Sequence, residues 1–559
     1  MLLPLALLAG CGESRSSLTV TERADQVAAA EEKLSSQVIS QEDLPPEGTR
    51  SLFDHWVAQN DGLPYPFERV VELLQRQAPD ASAPVTVFIP LGRSLLKAQA
   101  DFAHPRVLVA ADFDAVNTEA SLGATPRGQL FLGFVENAAE IEVISYNEAA
   151  GRYEFQLVQD YSDTGARRIV YARRAVCTTC HQGGSPIFPQ RPWNETNGQP
   201  EPAAAIVAAR GSEVPYLGAP IRQPLAAPER FDELTDIGAY TVATQRLWID
   251  GCGDGADGID CRRRMLKLAL SYLDNPGGFD AHGAEAQALR AAQARQWPAA
   301  GIAVPESDLA NRDPLAERRG WRGWVRHWFN PPSAPGAGAR DNEDLEAFDR
   351  LPKLPQAQDP LTPRAPKRVL TAQDLDGVYG VAGLFAADDA RLLLARHGHD
   401  PSRLMARVDA LPDALFAPQP LARVPMLRAL LDTPQLAYCC LDTAELSPPV
   451  AIGEPPLSLA AGSKLQPYAD YCFACHRGNP SARLNFMAGA DEAAVAAKIR
   501  DTAAIRDALD WERYRGTAKA SVMMPPADSP QRAHMEAAVK ANPELLDEMR
   551  AQVPGLFDF

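Results

Sequence analysis

Two pentapeptides of one form constrain this chain more than anything else in it: Cys177-Thr178-Thr179-Cys180-His181 and Cys472-Phe473-Ala474-Cys475-His476. A bare Cys-x-x-Cys serves equally as a redox dithiol or as half of a zinc site. With histidine directly after the second cysteine, the pattern is that of covalent c-type haem attachment. The two thiols add across the haem vinyl groups, and the adjacent histidine is placed to ligate the iron from one face. Two motifs therefore predict two covalently bound haem c groups. Cys177, Cys180, Cys472 and Cys475 are the expected attachment points, and His181 and His476 the expected iron ligands.

The 559 residues exceed one small domain, and a hydrophobic content of 46% is ample for packed cores. A formal net charge of -17 disfavours nucleic acid and a polybasic membrane patch; such an acidic balance is usually a solvated surface, with a basic redox partner protein as the alternative reading. Four of the nine cysteines belong to the motifs. Cys252 and Cys261 flank a Gly/Asp-rich stretch and can close a disulfide in an oxidising compartment. The adjacent Cys439 and Cys440 are read as a vicinal disulfide or as two buried thiols. Cys11 ends Leu8-Ala9-Gly10-Cys11 after an apolar run from Leu2, which resembles a bacterial lipoprotein signal. No Lys or Arg precedes that run. The resemblance implies cleavage before Cys11, a lipid anchor on it, and a place in the bacterial cell envelope, in the periplasm or at the outer membrane. Gly12 after the cysteine favours the outer membrane by the same analogy. No later run approaches the ~18 apolar residues of a membrane span.

The expected organisation is a signal over 1–11, a polar tether over 12–50, an α+β domain carrying the first haem over 51–330, a Pro-rich linker over 331–366, a helical segment over 367–456 and a second haem unit over 457–559. In the α+β domain, Val85–Ile89 and Arg106–Val109 read as buried strands. Ile141–Tyr146 and Tyr153–Val158 read as a hairpin, with Tyr153, Phe155 and Leu157 alternating with Glu154, Gln156 and Val158. A strand over Arg168–Val176 is expected to run into the first motif. Residues 223–311 read as mainly helical.

The C-terminal unit resembles a class I cytochrome c domain, an all-α fold. Tyr468-Ala469-Asp470-Tyr471 leads into Cys472-Phe473-Ala474-Cys475-His476. A helix over Glu492–Ile499 follows, then Ser521-Val522-Met523-Met524-Pro525-Pro526, then a helix from Ala533 to Lys540. The resemblance implies that Met524, directly before Pro525, is the sixth iron ligand rather than Met523, and that the last helix packs on the first. A soft thioether ligand stabilises ferrous iron and raises the reduction potential.

The first motif has no such surroundings: Gly183, Gly184 and Pro186 end any helix almost at once. Met265, His282, His55 and His104 are the candidate sixth ligands, and the nearby Trp193 reads as packing. Asp254, Asp257 and Asp260 read as a solvated turn rather than a calcium site. Arg262-Arg263-Arg264 reads as helix surface, and His397-Gly398-His399 as a helix end. Together these residues predict an exported dihaem c-type cytochrome acting in electron transfer. A dihaem peroxidase- or oxygenase-like enzyme with an open first haem is the alternative, and a haem-based sensing lipoprotein a third reading.

Overall fold

The structure is a computed structural model. It describes residues 43–311 and 368–553 apart from positions 61, 92–99, 179, 373–375, 439–442, 452–456, 458, 461, 478–485, 490, 503, 518–519 and 526–529. The signal, most of the tether, Cys11, Cys439, Cys440 and the linker 331–366 lie outside the described residues. What is described is an α+β fold built on an antiparallel sheet.

Six strands form that sheet in sequential order: β1 Val85–Ile89, β2 Arg106–Ala110, β3 Leu130–Val135, β4 Glu140–Asn147, β5 Arg152–Gln159 and β6 Arg168–Tyr171. Each pairs antiparallel with the next, so the sheet is a meander. Both its faces are covered, in keeping with the largely apolar runs of β1, β2 and β3. On one face lie α1 (Leu52–Gln59) and α2 (Phe67–Gln77). Phe67, Val70, Val71 and Leu74 recur at helical spacing and pack with Phe53 and Trp56 against Phe134, Val143 and Val158. On the other face Phe188, Trp193, Phe231, Leu234 and Val242 cover Val87, Leu108, Phe131, Tyr146 and Tyr153.

The alternation in β5 is therefore not core against solvent. Glu154 and Gln156 are buried. Gln156 accepts from Ser51 Oγ at 2.7 Å and donates to Asp54 at 2.7 Å, while Glu154 is paired with Arg152 and Arg174. Buried polar groups persist because they are partnered.

Behind the sheet lies a helical layer. After α3 (Arg174–Cys177) and α4 (Pro200–Arg210) come α5 (Ala226–Asp250), α6 (Gly255–Asp274) and α7 (Ala284–Gln296). Beyond 331–366 follow α8 (Asp376–Gly383), α9 (Ala387–Arg396), α10 (Pro401–Asp409) and α11 (Arg423–Leu431). Helices from both sides of 331–366 share one core, with Leu247, Trp248, Met265 and Leu266 packed among Val381, Leu393, Leu404 and Leu427. Cys252 and Cys261 form the disulfide, joining the end of α5 to α6. The Asp-rich stretch between them is helix from Gly255 on, not a turn, with Asp254 at the cap position and Asp257 in the first turn, where the helix dipole favours negative charge. Nor is Arg262 surface: it is buried and donates to the carbonyls of Trp248 (2.6 Å), Ile249 (2.6 Å) and Gly253 (2.8 Å) at the end of α5. Buried Arg423 grips Asp389 through two bonds of 2.7 and 2.6 Å and donates to Gly123 O, tying the β2–β3 connection to the helical layer.

The described residues from Leu457 onward are helical and have their own core: α12 (Gln466–Tyr471), α13 (Phe473–His476), α14 (Glu492–Asp501), α15 (Ala504–Ala508), α16 (Trp511–Tyr514), α17 (Pro530–Ala541) and α18 (Leu545–Arg550). α12 packs against α17, and Tyr468 Oη donates to Met549 O at 2.7 Å. Among the described residues no helix is long and apolar enough to cross a membrane.

Candidate haem-attachment centre

The first motif grows out of the sheet edge. β6 pairs with β5 only as far as Gln156, leaving the start of β5 open on that side. The chain leaving β6 closes this gap: Ala172 N donates to Phe155 O at 2.8 Å, and Arg174 Nη1 to Tyr153 O at 2.6 Å. The strand expected to reach Val176 thus ends at Tyr171, and α3 carries the chain into Cys177. Cys180 N and His181 N both donate to Cys177 O, at 3.3 and 3.0 Å, continuing the helical turn. Residues three and four apart are neighbours on such a turn, so Cys177, Cys180 and His181 share one side of it. Neither Cys177 nor Cys180 is in a disulfide. Cys177 packs against the cluster of Phe155, Leu157, Val170 and Ala172, and burial pushes its thiol up to about 12.

His181 is held on two sides. Its ring lies 5.3 Å from that of Phe155, whose ring also meets the Arg174 guanidinium at 5.3 Å. His181 Nδ1 is 3.0 Å from Ser185 O. A carbonyl only accepts, so Nδ1 donates to it. This is the arrangement by which a carbonyl orients a metal-ligating histidine. The turn that returns Ser185 to the ring is made by Gly183 and Gly184, with φ of 81° and 77°. At Gly183 a Cβ would also meet Pro305 at 2.9 Å. Arg246 Nη2 holds Gly183 O at 2.9 Å from α5.

In the second motif, Cys472 N donates to Tyr468 O at 2.8 Å and His476 N to Cys472 O at 3.0 Å, so α12 runs almost directly into α13. Cys472 and Phe473 are buried in the C-terminal core. The His476 ring lies 4.3 Å from that of Phe486, and Met487 N donates to His476 O at 2.9 Å. The methionine loop is pinned by its backbone. Met524 N donates to Ala508 O at 2.9 Å, Trp511 Nε1 to Met524 O at 3.0 Å, and Arg532 Nη1 to Pro525 O at 3.0 Å. The Arg532 guanidinium stacks 3.6 Å over the Trp511 ring and reaches Met523 Sδ at 3.8 Å. Met523 is therefore a buried core residue with its sulfur engaged, while Met524 is half-buried and outside that core cluster.

Far apart in sequence, the two motifs meet in space: residues of α3 and α13 approach within 8 Å, Cα to Cα. No family model, no curated protein and no solved structure matches this chain. The centre is therefore read from its own residues.

The candidate sixth ligands of the first site are dispersed. Met265 is fully buried in the helical core, not in the cluster around Cys177. His282 is exposed beside Asp280. His55 sits on α1, which packs on the face of Ser145 and Gln156, opposite to that of Phe155. His104 pairs with Asp101 at 3.3 Å. His397 Nε2 contacts Leu430 O at 3.1 Å, a helix-end role. Trp193 is buried packing, with Nε1 donating to Asp232 at 3.1 Å. Burial pushes the Asp232 carboxyl up to about 7, although the Trp193 hydrogen bond opposes it. Among the described residues no group of three or more His, Cys, Asp or Glu is arranged to hold a metal ion, Asp254, Asp257 and Asp260 included.

Sequence reasoning did not single out Ser185, Trp511, Arg532 or Met487. Ser185 carried a usable signal, because two glycines one residue after a Cys-x-x-Cys-His mark a turn that can bring a carbonyl back to the histidine. Trp511 and Arg532 carried none, since their value lies in contacts across the C-terminal core.

Proposed function

We propose that this chain is an exported dihaem c-type cytochrome that transfers electrons, with covalent haem at Cys177/Cys180 and at Cys472/Cys475. The observation that carries this reading is the His181 ring, whose Nδ1 is held 3.0 Å from Ser185 O, beside cysteines at attachment spacing. The residues present thus fit the group. Bound haem supplies an iron that cycles between ferric and ferrous.

The chain's own residues do the rest. His181 and His476 would each supply one nitrogen to the iron, and Phe155 and Phe486 restrain their rings. The packing of α12 with α17 and the pinned 523–525 loop support a cytochrome c-like unit in which Met524 would supply a sulfur ligand to the iron. A soft thioether there favours the reduced state. Cys11 as a lipid anchor, a site in the bacterial envelope and a basic redox partner protein complete the proposal, the last in keeping with a net charge of -17.

The test is haem stoichiometry of the purified chain after denaturation, with low-temperature EPR of the ferric protein. Two covalent haems and two low-spin signals are expected. Covalent haem absent from either motif would overturn the dihaem reading. A high-spin signal from the first site would move the function to an open-haem oxidase or peroxidase chemistry.

A further inference from the structure

Two independent contacts bring the chain from Val450 onward to the region of the first motif. One is the approach of α3 to α13. The other lies at the sheet edge: Tyr171 N donates to Val450 O at 2.7 Å, and Tyr171 bridges Ala451 as a parallel partner. Tyr171 is the last residue of β6, just before α3, and Val450 and Ala451 precede the C-terminal unit. The chain is therefore clamped to the sheet on its way into that unit, and the unit returns its own motif to the clamped edge. Arg50 Nη2 adds a bond of 3.0 Å to Ser447 O on the same approach.

We infer that the two attachment sites form one coupled pair, in which the charge state at the site of His181 changes the electron affinity at the site of His476, and the reverse. This rests on the dihaem reading above. The backbones of the two motifs meet, so groups held by His181 and His476 would be separated by little more than that gap and two side chains. Both motifs are also partly withdrawn from water, Cys177 in the Phe155 cluster and Cys472 in the C-terminal core. A unit change of charge is felt more strongly across such a medium than across solvent. Thermodynamic linkage makes the coupling reciprocal. A C-terminal unit swinging free on a linker would have no such coupling.

The experiment uses the full-length holoprotein. The relaxation rate of the ferric His181-site EPR signal is measured with the second site oxidised and again with it reduced. In parallel, a chain carrying Cys472→Ser and Cys475→Ser, which keeps the first motif intact, is titrated potentiometrically. Faster relaxation beside an oxidised second site, or a first-site potential shifted in the double variant, is expected. Relaxation independent of the second site's state, with an unshifted potential, would overturn the coupling. If the double variant does not fold, or both sites of the wild type titrate together, the other arm alone decides. Denatured-chain haem stoichiometry separates this outcome from failure of the dihaem reading, since two haems without coupling overturn only the pairing.

Discussion

Gly183 and Gly184 decide where the His181 ring points. Both occupy the left-handed region, where an L side chain costs about 1–2 kcal/mol. Gly183→Ala adds the contact with Pro305 and is expected to lower stability by about that amount or more. By loosening the carbonyl that polarises His181 it should also weaken nitrogen donation and raise the first-site potential. Thermal unfolding and potentiometry check the two effects separately. At the second site, Met524→Leu is expected to abolish the sulfur-to-iron charge-transfer absorption and lower the potential. Met523→Leu keeps both and costs less than about 1.5 kcal/mol as a volume-conserving swap. The reverse result in the optical spectrum would exchange the two residues' roles. Asp232 gives a pH prediction with a definite sign. Its folded-state pKa, about 7, lies above the ordinary carboxylate value, so the folded state binds the extra proton and stability falls as pH rises towards 7. Asp232→Asn should therefore gain stability relative to wild type at pH 8 and little at pH 4, read as the difference in denaturation midpoint.

Elements hold together through a few buried connectors. The disulfide between Cys252 and Cys261 staples the end of α5 to α6 across a sequence separation of 9. Loop-closure entropy assigns such a short ring about 2–3 kcal/mol. Replacing both cysteines by alanine should cost that much in chemical denaturation and leave haem content unchanged. The Arg423–Asp389 pair is fully buried and also engages Asn117. Breaking it leaves an uncompensated charge inside, so Asp389→Ala should cost about 3–5 kcal/mol. The helices α8–α11 owe their place to the core they share with α5–α7, whatever the composition of 331–366. Strand β3 is the element that periodicity overlooked. Leu130–Val135 is buried on both faces, and a short apolar run of that kind carries neither helical nor strand alternation.

At the scale of the whole molecule the charge of -17 bears on the proposed exchange of electrons with small reagents. Reduction by cationic small-molecule reagents should slow as ionic strength rises, and reduction by anionic ones should quicken. Stopped-flow rates over a salt series read this directly, and a flat series would mean that local surface charge at the exchange site outweighs the net value. What the chain declares locally was legible without coordinates: the two Cys-x-x-Cys-His motifs, the helices from Glu492 and before Lys540, the hairpin around Gly151 and the disulfide between Cys252 and Cys261. Each is written in adjacent or periodic residues, because thioether spacing, helix period and turn chemistry are short-range. The burial of Glu154, Gln156 and Arg262, the engagement of Met523 by Arg532 and the meeting of α3 with α13 are long-range facts. They depend on which surfaces find each other when apolar area leaves water, and a non-directional force of that kind leaves no spacing for a sequence to display.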